Sequence, residues 1–216
     1  MIGLLSLAFT NRISATLVAL MLLCVTLAFA ASVGETAIPM QTVINTIANH
    51  VWNAGHEVDV IDAGIVWNYR LSRAVVAASC GASLAVAGAV LQGLLRNALA
   101  DPYLLGISAG ASTGAVSVAI LGLGAGVLGL SVGAFIGSLV AFAFVALLSL
   151  QAGRGTGAII LAGVAGSQLF NAMTSFIVTK SASAEEARGI MFWLLGNLSG
   201  VRWPDVWLAL PVAIVG

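Results

Sequence analysis

The stretch GAVLQGLLRNALADP, residues 88–102, continuing into LGISAGA at residues 105–111, decides the fold of this chain. It joins two strongly apolar segments, and its glutamine, arginine, asparagine and aspartate cluster where the first segment ends. Such polar side chains are typical of the point at which a membrane helix leaves the hydrocarbon. We therefore interpret the stretch as a short connection between two helices in a bilayer.

The composition also favours a membrane protein. The 216 residues are 60% hydrophobic and 7% charged, with a mean hydropathy of +1.09, whereas soluble domains carry roughly 25% charged residues. Eight basic and eight acidic residues cancel, which argues against a nucleic-acid partner because such binding needs a concentrated basic surface. Cys24 and Cys80 lie in apolar runs, where we expect small buried side chains and neither a disulfide nor a metal site.

Five apolar runs are long enough to span a bilayer, which takes about 20 residues per helix. They cover residues 13–31, 74–95, 103–122, 126–150 and 157–179, and a sixth run begins near Val206. Residues 189–201 suggest a short interfacial or re-entrant piece, with Trp193 and Trp203 suited to the headgroup zone. The sequence therefore predicts an all-α, polytopic helical bundle.

The first run ends in Ala28-Phe29-Ala30, which has the form of a signal-peptidase site. Its apolar stretch of about 19 residues exceeds the usual 7–15 of a signal core, so we expect a retained helix. A cytoplasmic N-terminus leaves three basic residues inside and five outside, so basic residues alone leave the orientation open. The very short inner connections favour the cytoplasmic N-terminus.

Small residues recur every four positions along three predicted helices, a spacing that lets membrane helices pack closely. The stripes are Ala77, Gly81, Ala85, Ala89 and Gly93; Gly106, Gly110 and Gly114; and Gly129, Gly133, Gly137 and Ala141. Together they predict a compact bundle of several helices.

The fifth predicted helix carries polar side chains at membrane depth, where they are costly and often functional. The spacing predicts one shared polar face, formed by Gln168, Asn171, Thr174 and Ser175. Such a face fits either a water-filled path for a polar ligand or hydrogen bonding between helices, and the sequence leaves both open.

Catalysis and metal binding find little support in the sequence. Residues 50–62 contain possible ligands without tight metal-site spacing: His50, His56, Glu57, Asp59 and Asp62. We find no paired carboxylates and no Ser-His or Cys-His arrangement at one depth. We therefore expect no enzyme activity, no metal and no cofactor.

Several separate motifs occur in one order: RLSR at residues 70–73, the stretch at 88–102, LAGVA at 161–165 and WLLGNLSG at 193–200. Together they closely resemble the FecCD or BtuC-like permeases, the membrane subunits of bacterial ABC importers for iron-siderophore complexes, haem and cobalamin. The resemblance runs from Trp67 to Gly216. The first 66 residues match only in having one helix and a variable outer loop, which we expect to be periplasmic at residues 32–69.

The resemblance implies a type II importer permease with ten transmembrane helices in a single domain, of which residues 1–216 would hold about six. It implies a second permease subunit, a cytoplasmic ATPase dimer that hydrolyses the ATP, and a periplasmic substrate-binding protein. It also implies the bacterial inner membrane and supports the cytoplasmic N-terminus. Because the family's coupling helix follows the sixth helix, we expect an N-terminal fragment that does not transport alone.

Two arginines match outward-facing family positions that pair with carboxylates of the binding protein. Arg70 and Arg73 are spaced by three, and each could engage a carboxylate in a forked geometry. Anchoring of the helix end at lipid headgroups is the alternative. Ser72 departs from the family, which usually has proline there.

Two short segments match the family's cytoplasmic gate. Asn97 and Leu99 match one part, and Thr156 with Gly157 matches the other. Short loops at the inner mouth can close a path by small helix movements, although Asn97 is also suited to cap a helix. Ala98 departs from the family, which usually has proline after the asparagine.

Two other functions compete with the importer. An ion-coupled secondary transporter tends to carry ionisable residues within its spans, and the apolar runs here contain none. A non-transporting membrane scaffold is the second. The cargo stays open among the iron chelates, haem and cobalamin.

Overall fold

The computed structural model describes residues 2–123, 129–153, 155–181 and 183–215, with side chains described from Ile13 onward except at position 181. Every regular element in these ranges is helical, which confirms the predicted fold class. The α-helices are α1 (Ile2–Ser32), α2 (Met40–Trp52), α3 (Val60–Gly64), α4 (Ser72–Leu95), α5 (Ile107–Leu121), α6 (Leu130–Ala152), α7 (Thr156–Ser181), α8 (Ala184–Leu194) and α9 (Trp203–Val215). A π-helical turn, Ile65–Leu71, joins α3 to α4, and a 3₁₀ turn, Pro102–Leu105, precedes α5.

The chain forms two compact units, one of residues 1–83 with 198–216 and one of residues 84–197. In the first unit, α1, α2 and the π-helical turn pack around a small apolar core: Ala31, Ile38, Val43 and Val66. Helix α2 ends at Asn53, whose left-handed backbone (φ 51°) turns the chain out of the helix. The predicted outer segment, residues 32–69, therefore contains α2, α3 and most of the π-helical turn.

Among the residues that the structure describes, four helical stretches are long and apolar enough to cross a membrane: Ile13–Ser32, Val60–Leu95, Leu130–Ala152 and Thr156–Lys180. They contain most of the first, second, fourth and fifth predicted runs, so these four predictions are confirmed. The predicted start of the fourth run, at residue 126, lies outside the described residues.

The third predicted run, residues 103–122, is not one continuous spanning helix. Asp101 starts the 3₁₀ turn by accepting a hydrogen bond from the Tyr103 backbone N–H at 2.8 Å, and Gly106 ends it at a φ of 72°. Helix α5 then has 15 residues, about 22 Å at the α-helical rise, which is shorter than the hydrocarbon core of about 30 Å. The prediction of a continuous spanning helix was wrong because a count of apolar residues does not detect the left-handed turn at Gly106.

The short piece predicted at residues 189–201 begins earlier, as α8. A capping box starts this helix: the Ser183 backbone N–H donates to the Glu186 carboxylate at 2.8 Å, and the Glu186 N–H donates to the Ser183 hydroxyl at 3.3 Å. The Ser183 backbone N–H, and after it the Ser183 hydroxyl, hold the pKa of Glu186 below its ordinary value. Helix α9 begins at Trp203, close to the predicted start of the sixth run.

Two of the three small-residue stripes form one close helix contact. A Cβ added at Gly114 would run into the Gly133 carbonyl, and one added at Gly137 would run into the Gly110 carbonyl. The backbones of α5 and α6 therefore approach as only glycines allow. The predicted close packing is confirmed at Gly110, Gly114, Gly133 and Gly137, whereas a Cβ at Gly129 would meet nothing within 4 Å.

The stripe on α4 makes no such contact in the part of the chain that the structure describes. A Cβ at Gly81, Gly88 or Gly93 would meet nothing within 4 Å. Cys80 on α4 and Cys24 on α1 are free and exposed, so the expectation that both cysteines are buried is wrong. An apolar run shows that its side chains avoid water. It does not show whether a given side chain faces lipid or packs against protein.

Candidate functional site

Arg70 lies in the π-helical turn and reaches the end of α1. Its Nη1 donates to the Ser32 carbonyl at 2.9 Å and to the Ala31 carbonyl at 3.3 Å. Its Nη2 donates to the Thr36 carbonyl and, at 3.4 Å, to the Thr36 hydroxyl. Carbonyls at a helix C-terminus lack partners within the helix and carry partial negative charge. Arg70 therefore caps α1 and holds the chain that follows it.

Arg73 lies one helical turn further along, at the start of α4, in different surroundings. Its Nη2 donates to the Ser199 carbonyl at 2.6 Å. Its Nε is buried and has no hydrogen-bond partner among the described residues, and leaving a buried N–H unpaired costs about 1–3 kcal/mol. Such an unpaired group in a native protein calls for an explanation in terms of strain or function.

Two residues that the sequence did not single out complete this cluster. The guanidinium carbon of Arg202 lies 4.3 Å from the centroid of the Tyr69 ring, and that of Arg73 lies 6.0 Å from it. Arg202 Nη1 donates to the Ser199 carbonyl at 3.0 Å and to the Val201 carbonyl at 2.7 Å. The signal available in the sequence was only a basic residue next to a tryptophan in a predicted connection.

Both predicted arginines border one open cavity of about 520 Å³ in the first unit. Tyr69 and Glu35 line it as well, and its remaining wall is mostly apolar: Ala30, Val33, Ile65, Ala74, Ala77 and Leu198. The cavity is therefore lined by charged side chains and by a mostly apolar surface.

An aromatic stack fixes the start of α9 against the π-helical turn. The Trp203 indole N–H donates to the Trp67 carbonyl at 3.0 Å, and the two rings lie 4.7 Å apart. His50 stacks on Trp67 at 4.1 Å with an interplanar angle of 15°. Because residues 199–202 directly precede this anchor, it positions Arg202 beside Tyr69.

The connection after α4 contains the first pair of predicted gate residues. Arg96, with a left-handed φ of 47°, ends α4. The Asn97 side-chain oxygen then accepts a hydrogen bond from the Leu99 N–H at 3.0 Å, an arrangement that stabilises a tight turn. Leu99 is 85% exposed, so the turn presents an apolar side chain at its tip.

The connection packs against the first turns of α7, where the second pair lies. A Cβ at Gly163 would run into the Leu104 carbonyl, so the 3₁₀ turn sits directly on the α7 backbone. Ile159, one turn beyond Thr156 and Gly157, packs on an apolar cluster from the connection and its flanks: Leu91, Leu95, Ala100 and Leu105. The structure thus places both predicted gate segments beside one apolar cluster.

The predicted polar face of α7 is divided in the structure. Gln168, Asn171 and Ser175 are exposed, whereas Thr174 is buried and its hydroxyl lies 2.9 Å from that of Thr113 on α5. At 3.6 residues per turn, Thr174 lies about 120° around the helix from Gln168. The four residues therefore do not share one face, and the prediction was wrong for Thr174.

In the described part of the chain, fold and site together define a polytopic helical membrane protein with a close-packed trio of α5, α6 and α7. The FecCD transport family model matches residues 20–216. The chain belongs to the FecCD transport family, as the motifs predicted.

Among curated relatives, the chain is 46% identical to the cobalamin import system permease protein BtuC of Halobacterium salinarum over 153 residues, 70% of this chain and 41% of the relative. It is 36% identical to the uncharacterised ABC transporter permease protein YvrB of Bacillus subtilis over an alignment of 217 positions, which covers 95% of this chain and 60% of the relative. A solved structure, described as an inward-facing conformation of a metal-chelate type ABC transporter, matches with a TM-score of 0.68 and 26% identity. That match covers 87% of this chain and 55% of the solved one. The chain spans about half the length of these relatives.

Proposed function

We propose that this chain is part of the membrane-spanning permease of an ATP-driven ABC importer. Membership of the FecCD transport family carries the proposal. In the assembly, the permease pairs with a second permease subunit and binds a cytoplasmic ATPase dimer, and a periplasmic binding protein delivers the substrate. ATP hydrolysis takes place in the separate ATPase.

The cargo belongs to the class of iron-siderophore complexes, haem and cobalamin. Cobalamin is the first to test, because the Halobacterium salinarum relative is named as a cobalamin import permease. The solved relative is described as a metal-chelate type transporter, which keeps iron chelates as the second choice.

In this proposal the chain lies in the bacterial inner membrane with its N-terminus in the cytoplasm. Residues 32–69 are then periplasmic, and the arginines that follow them face the binding protein. The connection at Asn97 and Leu99 and the start of α7 at Thr156 and Gly157 then form the cytoplasmic gate. The shared apolar cluster around Ile159 supports the gate, because a shift of α7 would displace both segments together.

In this proposal the exposed polar side chains of α7 line the translocation path: Gln168, Asn171 and Ser175. Amide and hydroxyl groups can replace part of the hydration of a large polar solute without the cost of a buried charge. Thr174 is assigned to packing, since its hydroxyl is engaged with α5.

The test is uptake by the complete importer reconstituted in liposomes with its binding protein and radiolabelled cobalamin. We expect uptake that needs ATP and stops when the catalytic carboxylate of the ATPase is replaced by an amide. A matched reaction contains a proton ionophore, which should leave uptake unchanged. Uptake that survives the ATPase substitution and follows a proton or sodium gradient would establish the secondary transporter instead. Absence of uptake for cobalamin, haem and ferric siderophores alike would favour the scaffold.

A further inference from the structure

Helix α2 carries apolar side chains outside its core face. Val43 and Thr46 are buried, and Val43 belongs to the small core of the first unit. Met40, Ile44 and Val51 are also apolar, but they are 37%, 50% and 54% exposed. We call these three exposed residues the α2 stripe. A contiguous exposed apolar patch marks a surface that binds another protein or a membrane, so the position of the stripe on the helix decides its meaning.

The stripe lies between the protein core and a polar face. At 100° per residue, the three residues of the α2 stripe fall within about 40° around the helix. The buried Val43 lies about 60° from Met40 on one side, and Asn45 lies about 100° from Ile44 on the other side. The Gln41 amide donates to the Asn45 side-chain oxygen at 3.0 Å on that polar face. The exposed surface of α2 is therefore apolar on one side and polar on the other, as in a helix that lies at the surface of a membrane.

Helix α2 is held at the end of a membrane-spanning helix. Val43 packs in one buried cluster with Ala31, which lies in the last turn of α1. Helix α1 is apolar enough to cross a membrane over Ile13–Ser32, about 30 Å at the α-helical rise, which matches the hydrocarbon core. Phe29 and Val33 are 61% and 59% exposed, so the exposed apolar surface of α1 continues to its outer end. Helix α2 therefore lies at the level of the lipid headgroups, where α1 leaves the hydrocarbon.

The composition of α2 also fits a lipid surface. The segment Met40–Trp52 contains no aspartate, glutamate, lysine or arginine, whereas Glu35 precedes it and Glu57 follows it. Charged side chains are costly at the hydrocarbon boundary. Trp52, the last residue of the helix, is 73% exposed, and indole rings favour the headgroup region. The helix therefore has the composition of a segment that rests on the bilayer through apolar contact.

We propose that the α2 stripe, together with Trp52 at the end of the helix, rests in the boundary between lipid headgroups and acyl chains. The occupant of this surface is the bilayer itself. Because the stripe runs along the length of α2, the helix lies parallel to the membrane, with Gln41 and Asn45 turned toward water. Because the helix has no acidic residue, lysine or arginine, the contact is apolar and requires no anionic lipid. It holds the segment between α1 and α4 at the membrane surface, whatever the cargo of the permease is.

The first experiment measures the depth of single positions of α2 in the complete importer, reconstituted in liposomes. A cysteine-free background includes Cys24→Ala and Cys80→Ala. A fluorophore is attached at Ile44→Cys or Val51→Cys in the stripe, and at Asn45→Cys on the polar face as the matched control. Brominated acyl chains should quench the stripe labels at least about threefold more than the control label, because an interfacial helix buries its apolar face about 5–10 Å deep. Aqueous iodide should quench the labels in the reverse order.

A second measurement separates apolar contact from attraction to charged headgroups. The same labels are compared in liposomes of phosphatidylcholine alone and with phosphatidylglycerol added, each at low and at high salt. Quenching by brominated lipid should change less than about twofold across these conditions, since salt screens charges and leaves apolar burial in place. Quenching that needs the anionic lipid and disappears at high salt would identify an electrostatic headgroup site and overturn the apolar contact.

Three other outcomes also overturn the proposed membrane contact. Stripe labels that iodide quenches as strongly as the control label would show that the stripe faces water. Labels that are protected from iodide but not quenched by brominated lipid would show that another part of the permease, or its second copy, covers the stripe. Protection that appears only after the purified binding protein is added would make α2 a docking surface. The uptake assay decides the proposed function separately: an importer that takes up no substrate but shows lipid quenching overturns that function and leaves the membrane contact intact.

Discussion

The hydroxyl oxygens of Thr113 on α5 and Thr174 on α7 lie 2.9 Å apart, and both side chains are buried. Thr113 also lies 2.8 Å from the Phe170 carbonyl, one turn before Thr174. A buried hydroxyl needs a partner, and here each residue supplies one to the other. The pair therefore fixes the rotation of α7 against α5, which turns Gln168 and Asn171 outward.

Removing one member of this pair should destabilise the bundle. We expect Thr113→Val to lower the free energy of unfolding by about 1 kcal/mol, because the Thr174 hydroxyl loses a buried partner. The double variant Thr113→Val/Thr174→Val should cost less than the sum of the two single variants. Unfolding in mixed detergent micelles measures this, with exposed Ser175→Ala as the control. Strict additivity of the two substitutions would contradict the coupling.

The glycine contact between α5 and α6 predicts that two glycine-to-alanine substitutions change the stability of the protein in opposite directions. Gly137→Ala should destabilise the protein by about 1–3 kcal/mol, because its Cβ has to displace the α5 backbone. Gly81→Ala on α4 adds its methyl group in open space and gains up to about 1 kcal/mol of helix propensity. Thermal melting of both variants in one detergent tests this. Equal melting temperatures would show that α5 and α6 do not pack as closely as described.

The contact between the 3₁₀ turn and the backbone of α7 predicts that a substitution at Gly163 affects gating. Gly163→Ala should push the Leu104 carbonyl away from α7 and loosen the neighbouring Asn97 turn, so the proposed importer should leak substrate without ATP. Gly88→Ala changes a glycine within α4, outside the proposed gate residues and with no atom in the way, and serves as the control. Efflux from preloaded liposomes is the measurement. A tight Gly163→Ala importer with normal uptake would exclude this turn from the gate.

The capping box at the start of α8 predicts a pH dependence. The pKa of Glu186 is lowered from its ordinary value of 4.5, so the charged form stabilises the folded helix end. That stabilisation is fully present above pH 4.5 and is lost as the pH falls through the lowered pKa. Hydrogen exchange of the first-turn amides of α8, corrected for intrinsic rates, should show protection that falls at acid pH. Glu186→Gln should lack this transition, and a transition that persists in that variant would assign it to another group.

Local patterns predicted much of this molecule because they depend on near neighbours in the chain. Apolar length predicted four spans, and four-residue spacing predicted close helix packing, which the structure shows where Gly110 and Gly114 meet Gly133 and Gly137. The motif order predicted the family. The same reasoning overestimated the third run, since the backbone conformation at Gly106 does not follow from hydropathy.

What distinguishes Arg70 from Arg73 was decided only by the tertiary structure. The sequence gives them the same chemistry three positions apart, but Arg70 finds acceptors 38 residues away at Ser32, and Arg73 finds one 126 residues away at Ser199. Thr174 likewise meets Thr113 across 61 residues. The sequence by itself determined a helical membrane permease fold of the FecCD family, because hydrophobicity and helix periodicity are local properties. Which polar groups are engaged and which remain free depends on partners that only the folded chain brings within hydrogen-bonding distance.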